Sequence, residues 1–249
     1  MNGFEMHGIK HSSISQINKW IDCPAAWVMS YLFNNKGSSS PAMWRGIFTE
    51  QAVADTITGK MKIDKAIKNA LKDFDGKTLF DDGSSAKERA NIEPMTRLAV
   101  EALEPYGKPD FPEDGQHRVS MNAKGENWEL EFMGYIDFKF PDHNLIIDLK
   151  TTMRMPSVMS IGHQRQRAFY QKSNGNAEVK FLYVTPKKCE FKEDGDVNEL
   201  MAEIKIHLTR QEAFLRLGDK EFIASIVPVN RDSFYWRGNE KVRKELFGI

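Results

Sequence analysis

The chain has 249 residues, 41% of them hydrophobic, which is enough apolar material for a real core and excludes a disordered polypeptide. Its 35 basic residues match its 35 acidic ones, so net charge offers a polyanion no attraction. A nucleic-acid enzyme of this composition needs a local basic rim, and an enzyme acting on a small molecule fits the balance equally well.

Cys23 and Cys189 stand far apart with no CxxC spacing, which favours reduced thiols over a disulfide or a cysteine metal site. The opening MNGFEMHGIKHSS lacks the apolar core of a signal peptide, and no apolar run reaches bilayer length. The expectation is a soluble, cytoplasmic protein with no membrane contact.

Ser13 or Ser15 can cap a first helix with Ile17, Trp20 and Ile21 at helical spacing. Pro24 fits the first turn of the next helix, which carries Trp27, Val28, Tyr31 and Leu32. After the loop NNKGSSS, helices are predicted over about 41–58 and 64–74, with a DGK/DDGSS loop over 75–85. A longer helix over about 86–106 leads into a Pro-containing connection over 107–115. Period-two patterning then predicts strands over 118–122, 128–140 (with a break at Gly134) and 145–151. Residues 156–173 return to helical period, with Val158, Ile161, Ala168 and Phe169 as the buried stripe. Strands over 179–185 and 188–192 and helices over 196–216 and 219–226 complete the chain. This order predicts one α/β domain over 1–249: a mainly helical lobe over 1–115, then a sheet-containing core with C-terminal helices over 116–249.

The stretch GYIDFKFPDHNLIIDLKTT, residues 134–152, carries the chemistry. In LIIDLKT, Ile146, Asp148 and Lys150 share one face of a strand, and Leu145, Ile147 and Leu149 share the other. On the preceding strand Tyr135, Asp137 and Lys139 alternate against Ile136 and Phe138. A PDHN turn joins the two, so an antiparallel hairpin brings Asp137 near Asp148. Two carboxylates at a strand end suit Mg²⁺ or Mn²⁺, and such ions can activate water and neutralise charge on phosphorus. A lysine beside them can hold the scissile phosphate or orient the water. The triplet alone is weak: about one or two such D/E-x-K matches arise by chance in a chain this long. Others stand at Asp75, Asp137, Glu190 and Glu203. A strand leaving the core for water would give the same Asp148–Lys150 pattern. Gln166 and Tyr170 lie together on a helix flank, four residues apart. Glu50 follows Gly46 by four residues on the helix that starts near Pro41.

Taken in order, SSISQINKWIDCPAAWVMSYL, WRGIFTE, GYIDF, IIDLKTT and QRAFY resemble the five motifs of the RecB-type, lambda-exonuclease-like branch of the PD-(D/E)XK nuclease superfamily. The resemblance spans Ser13 to Tyr170. It implies a restriction-endonuclease-like core, a central mixed sheet flanked by helices. It further implies that Asp137, Asp148, the Leu149 carbonyl and Glu50 hold Mg²⁺ or Mn²⁺, and that Lys150 addresses water or phosphate. Gln166 and Tyr170 would position substrate phosphate. Many relatives have histidine where Glu50 stands. Some join the N-terminal Cys-Pro cysteine to three C-terminal cysteines in an iron–sulfur cluster. The tail here has no cysteine, so Cys23 is expected to be a buried apolar residue and no cluster is expected.

Arg45, Arg154, His163, Arg165 and Arg167 flank these motifs as candidate phosphate contacts, with Arg45 and Arg165 foremost. Tyr235 and Trp236 could stack on bases or pack in the core. The resemblance implies an exonuclease acting on DNA ends in recombination, repair or replication. Its partners would be DNA, a single-strand annealing or recombination protein, and a second copy of the chain. An endonuclease of the same fold, a nucleic-acid-binding protein without catalysis, and an enzyme for a small phosphorylated molecule are the alternatives.

Overall fold

The structure, a computed structural model, describes residues 1–79, 83–112 and 115–249. Parts of the two expected loops, at 80–82 and 113–114, lie outside the described residues. In chain order the helices are α1 (Gly3–Met6), α2 (Ile14–Asp22), α3 (Pro24–Tyr31), α4 (Pro41–Ile57), α5 (Ile63–Lys77), α6 (Ser85–Ala90), α7 (Ile92–Leu103), α8 (Ile161–Ser173), α9 (Val197–Leu215), α10 (Lys220–Ile226) and α11 (Glu240–Phe247). The strands are β1 (His11–Ser13), β2 (His117–Lys124), β3 (Glu129–Ile136), β4 (Phe138–Phe140), β5 (Leu145–Thr151), β6 (Glu178–Val184) and β7 (Cys189–Lys192). The class is mixed α/β. No helix among the described residues is long and apolar enough to cross a membrane.

Residues divide into two compact units, each assembled from separated stretches. One comprises 1–38, 120–134 and 196–249, and the other 39–119 and 135–195. In the first, Ser13 caps α2 by accepting from the Gln16 amide, and Pro24 occupies the first turn of α3, as their chemistry predicts. Short β1 runs parallel to β3 and has no counterpart in the sequence reading. Helix α11 and a 3-10 turn at Phe234–Trp236 are likewise additions.

The second unit is built on a four-stranded sheet of order β4-β5-β6-β7. β4 and β5 are antiparallel, β5 and β6 parallel, and β6 and β7 antiparallel. The expected PDHN turn is a 3-10 turn closed by Asn144 in the left-handed region at φ 47°, which a short polar side chain tolerates. The alternation on β5 sorts as expected. Leu145, Ile147 and Leu149 pack with Val53, Met95, Ala99 and Leu103 of α4 and α7. On the opposite face, α8 lies against β6. Both faces of β5 are therefore closed, and Asp148 is only 1% exposed. This strand does not leave the core for water.

Several boundaries differ from expectation. The strand predicted over 128–140 breaks at Asp137, not Gly134, leaving β3 and β4. The helix predicted over 86–106 is interrupted at Asn91, and α5 runs on through Asp75 to Lys77. Helix α8 starts at Ile161, capped by Ser160, so residues 156–160 are not helical. Val158 and Ile161 are 58% and 51% exposed, and only Ala168 and Phe169 of the expected stripe are buried. The cap at Ser160 starts the helix too late for Val158 to join its apolar face.

Truncating Ile147 tests this core, because the side chain is fully buried between helices and sheet. Ile147→Ala should lower unfolding free energy by roughly 2–5 kcal/mol, read as a reduced urea midpoint with unchanged slope.

Candidate active site

The hairpin places Asp137 just before β4, where Phe138 pairs with Ile147. One residue further along, Asp137 Oδ2 accepts a 2.8 Å hydrogen bond from the Leu149 amide. The N–H and C=O of a strand residue point to the same side, so the Leu149 carbonyl also faces Asp137. Asp148 lies on the face of β5 opposite Ile147 and Leu149, level with Phe181 of β6. Lys150 Nζ lies 2.5 Å from Asp148 Oδ2. That oxygen is buried, so Lys150 and Asp148 form a close, largely desolvated ion pair. Helix α4 supplies the third carboxylate. At Gly46 the helix runs close to the end of β5, where an added Cβ would lie 3.2 Å from Thr151 Oγ1. Glu50 sits one turn further along the same helix.

A residue the sequence reading missed joins two of these acids. The Gln116 side-chain amide donates to Glu50 Oε1 at 2.7 Å and to Asp137 Oδ1 at 2.6 Å. It belongs to no recognisable motif, so only the fold reveals it. Another relay supports Asp148. Gln166 Nε2 donates to Asp148 Oδ1 at 3.1 Å and to the Tyr170 hydroxyl at 2.8 Å. Tyr170, 3% exposed, in turn donates to the Tyr135 carbonyl. Gln166 and Tyr170 share a helix flank as expected, and there Gln166 reaches Asp148 while Tyr170 reaches Gln166 and the Tyr135 carbonyl.

Burial raises the Glu50 carboxyl to about 7, reinforced by Asp148 and opposed by Lys150. Burial also lifts Asp137 well above the carboxylate range, with Asp148 and Glu50 adding to the shift. Asp148 is raised by burial too, against the pull of Lys150. Burial alone would lower Lys150, yet Asp148, Asp137 and Glu50 outweigh it and raise the ammonium's pKa. The lysine therefore stays charged, as its carboxylate surroundings predict.

The expected basic rim is mostly committed elsewhere. Arg45 is buried, ion-paired with Glu88 and within 3.4 Å of the Thr151 carbonyl. Arg165 is also buried, at 4% exposure. Arg167 donates to the Val179 carbonyl at 3.0 Å and to the Gly195 carbonyl at 3.3 Å, fastening α8 to the sheet. Burial, then Lys150, lowers His163 to about 4, so it is neutral at physiological pH and attracts no phosphate as a cation. Arg154 alone of this set is exposed. Beside Glu50, Gln116 and Asp137 opens a cavity of about 1030 Å³, with Lys60 and Lys108 in its wall. Cys23 is fully buried, as expected, and Trp236 packs at 2% exposure.

Among the described residues, no three His, Cys, Asp or Glu side chains stand ready as a metal's ligand set. The Gln116 amide lies between two of the three carboxylates. The donor chemistry nevertheless fits a hard divalent cation: three carboxylates and a carbonyl supply oxygen only. When all are ionised, three carboxylates facing one ammonium leave an excess of two negative charges, which one divalent cation balances.

No protein-family model matches the chain, and no curated protein matches it. A solved structure described as "Crystal structure of SSO0001" is similar over 80% of this chain and 76% of its own, at 11% identity and a TM-score of 0.43. A likeness of that degree assigns neither fold family nor activity.

Burial of the Glu50 carboxyl, reinforced by Asp148, predicts an inverted pH dependence in metal-free protein. The unfolded chain releases the Glu50 proton near 4.5, whereas the folded protein keeps it up to about 7. Between those values the folded state binds more protons, so this group's contribution to stability falls as pH rises. Glu50→Gln should therefore gain on the unsubstituted protein by roughly 1–3 kcal/mol between pH 4.5 and 8. Urea unfolding in EDTA at both ends of the range measures it, and parallel curves would contradict the assignment.

Proposed function

We propose that the chain is a divalent-metal-dependent deoxyribonuclease with a restriction-endonuclease-like core, hydrolysing DNA phosphodiesters from strand ends. The observation that carries this reading is the convergence of Glu50, Asp137, Asp148 and Lys150, drawn from a helix and a hairpin, on one buried cluster. The five ordered motifs support it from the sequence side, and the exonuclease preference rests on that resemblance.

Asp137, Asp148 and Glu50 would hold Mg²⁺ or Mn²⁺, with the Leu149 carbonyl as a further oxygen. The ion supplies a polarised water and neutralises charge on phosphorus. Lys150, with a side chain 25% exposed, presents a fixed positive charge from which to bind a phosphate oxygen or orient the attacking water. Gln166, itself bonded to the Tyr170 hydroxyl, donates to Asp148, so their part is positioning the carboxylate. The Leu149 amide does the same for Asp137. DNA is the proposed substrate and partner.

End-labelled linear duplex and covalently closed circular plasmid, each incubated with Mg²⁺ or EDTA, test the reading. Linear DNA should shorten progressively in Mg²⁺ while the closed circle survives. Linearisation of the circle would replace the exonuclease with an endonuclease, and hydrolysis of neither in Mg²⁺ or Mn²⁺ would overturn the enzyme. Asp148→Asn should abolish cleavage, and Lys150→Ala should slow it roughly 10²–10³-fold. Tyr170→Phe should cost less, because it removes a support and not a reacting group.

Cation binding has a readout independent of turnover. Mn²⁺ at about 100 times its dissociation constant should stabilise the unsubstituted protein by about 2.7 kcal/mol. Asp148→Asn should lose most of that gain in thermal melts. Equal stabilisation of both proteins would place the ion elsewhere.

A further inference from the structure

The unit formed by residues 1–38, 120–134 and 196–249 holds a second group of side chains suited to nucleic acid. The 3-10 turn Phe234–Trp236 is anchored from below: Trp236 is 2% exposed, and its indole donates to the Asn230 carbonyl at 2.7 Å. The anchored turn presents Phe234 to solvent at 59% exposure, with its ring 4.0 Å from that of Tyr235 and tilted by 33°. Lys19 Nζ lies 5.1 Å from the Tyr235 ring centre and 5.7 Å from that of Tyr31. Lys36 Nζ sits 3.8 Å over the other aromatic neighbour, Tyr31.

Aromatic faces and ammonium groups thus alternate along one cluster. Lys19 donates to Ser30 Oγ at 3.0 Å, and no carboxylate among the described residues forms an ion pair with Lys19 or Lys36. Burial, then Lys36, lowers the Lys19 pKa, so the two cations disfavour each other. The Asp22 carboxylate acts on Tyr235 from the same region, so two ammonium groups stand against one nearby carboxylate.

We infer that Lys19, Tyr31, Lys36, Phe234 and Tyr235 form a platform for single-stranded nucleic acid, chemically distinct from the carboxylate site. The ammonium groups receive backbone phosphates, and the solvent-facing Phe234 ring receives a base. A simple anion has no use for an exposed ring, and a duplex hides the base faces that the ring would stack on. Stacking accepts every base, so the platform tolerates sequence. This inference goes beyond the catalytic reading, because binding to the platform requires neither metal nor hydrolysis.

The test is fluorescence anisotropy of a labelled oligo-dT of about 20 nucleotides with the full chain in EDTA. Phe234→Ala should weaken binding roughly 5–50-fold. Its exposure leaves the core untouched, and an unchanged circular dichroism spectrum checks this. Lys36→Glu should weaken binding and lower the salt-dependence slope by about 1. Duplex, inorganic polyphosphate and an acidic peptide should compete poorly. The inference is overturned if both variants bind like the unsubstituted protein, or if polyphosphate or the peptide competes as well as the oligonucleotide. Binding in EDTA that is lost in Phe234→Ala would support the platform even if Mg²⁺ elicited no cleavage, which would sink the catalytic reading alone.

Discussion

Three largely buried carboxylates crowded around one ammonium are the constraint around which the second unit is organised. Buried acids in a low-dielectric setting resist ionisation and repel one another. Each must be held by a donor or neutralised. Lys150 faces Asp148, the Leu149 amide holds Asp137, and the Gln116 amide spans Asp137 and Glu50. None of these contacts would persist on a mobile surface, where solvent and side-chain entropy would dissolve them. The cluster therefore depends on a rigid frame.

That frame comes from closing both faces of β5. Its leucine and isoleucine side chains fix the strand against α4 and α7. On the opposite face, α8 brings Gln166 to Asp148 and Tyr170 to the Tyr135 carbonyl. Helix α4 serves twice, packing Val53 and Ala54 into the core while Glu50 reaches the acids. Gly46 marks where the helix passes close to the end of the strand that carries Lys150. Packing and chemistry are therefore coupled: the apolar face of each element places its polar member.

The basic groups illustrate the same coupling in reverse. Arginines flanking an acidic motif look in sequence like a phosphate-binding rim. In the folded unit Arg45 and Arg167 instead satisfy Glu88 and backbone carbonyls, which are costly to leave unpaired when buried. Charge in a segment says only that a partner is required. Whether that partner is a substrate or the protein's own backbone depends on what packs above it.

Local patterning sufficed wherever a residue's neighbours in sequence are also its neighbours in space. Strand Leu145–Thr151 was legible to the residue from alternation, and the PDHN turn and the Ser13 and Pro24 helix starts from their own stereochemistry. Because strand alternation is fixed and the turn is short, the sequence by itself determined that Asp137 and Asp148 would meet across one hairpin. It could not tell a buried Asp148 from one leaving for water, since either face of a strand can be covered or open. Nor could it reveal Gln116, which lies 66 residues from Glu50 and 21 from Asp137. Only tertiary packing decided those points, because burial and long-range hydrogen bonds depend on which elements close over the strand, and no periodicity in the strand encodes that.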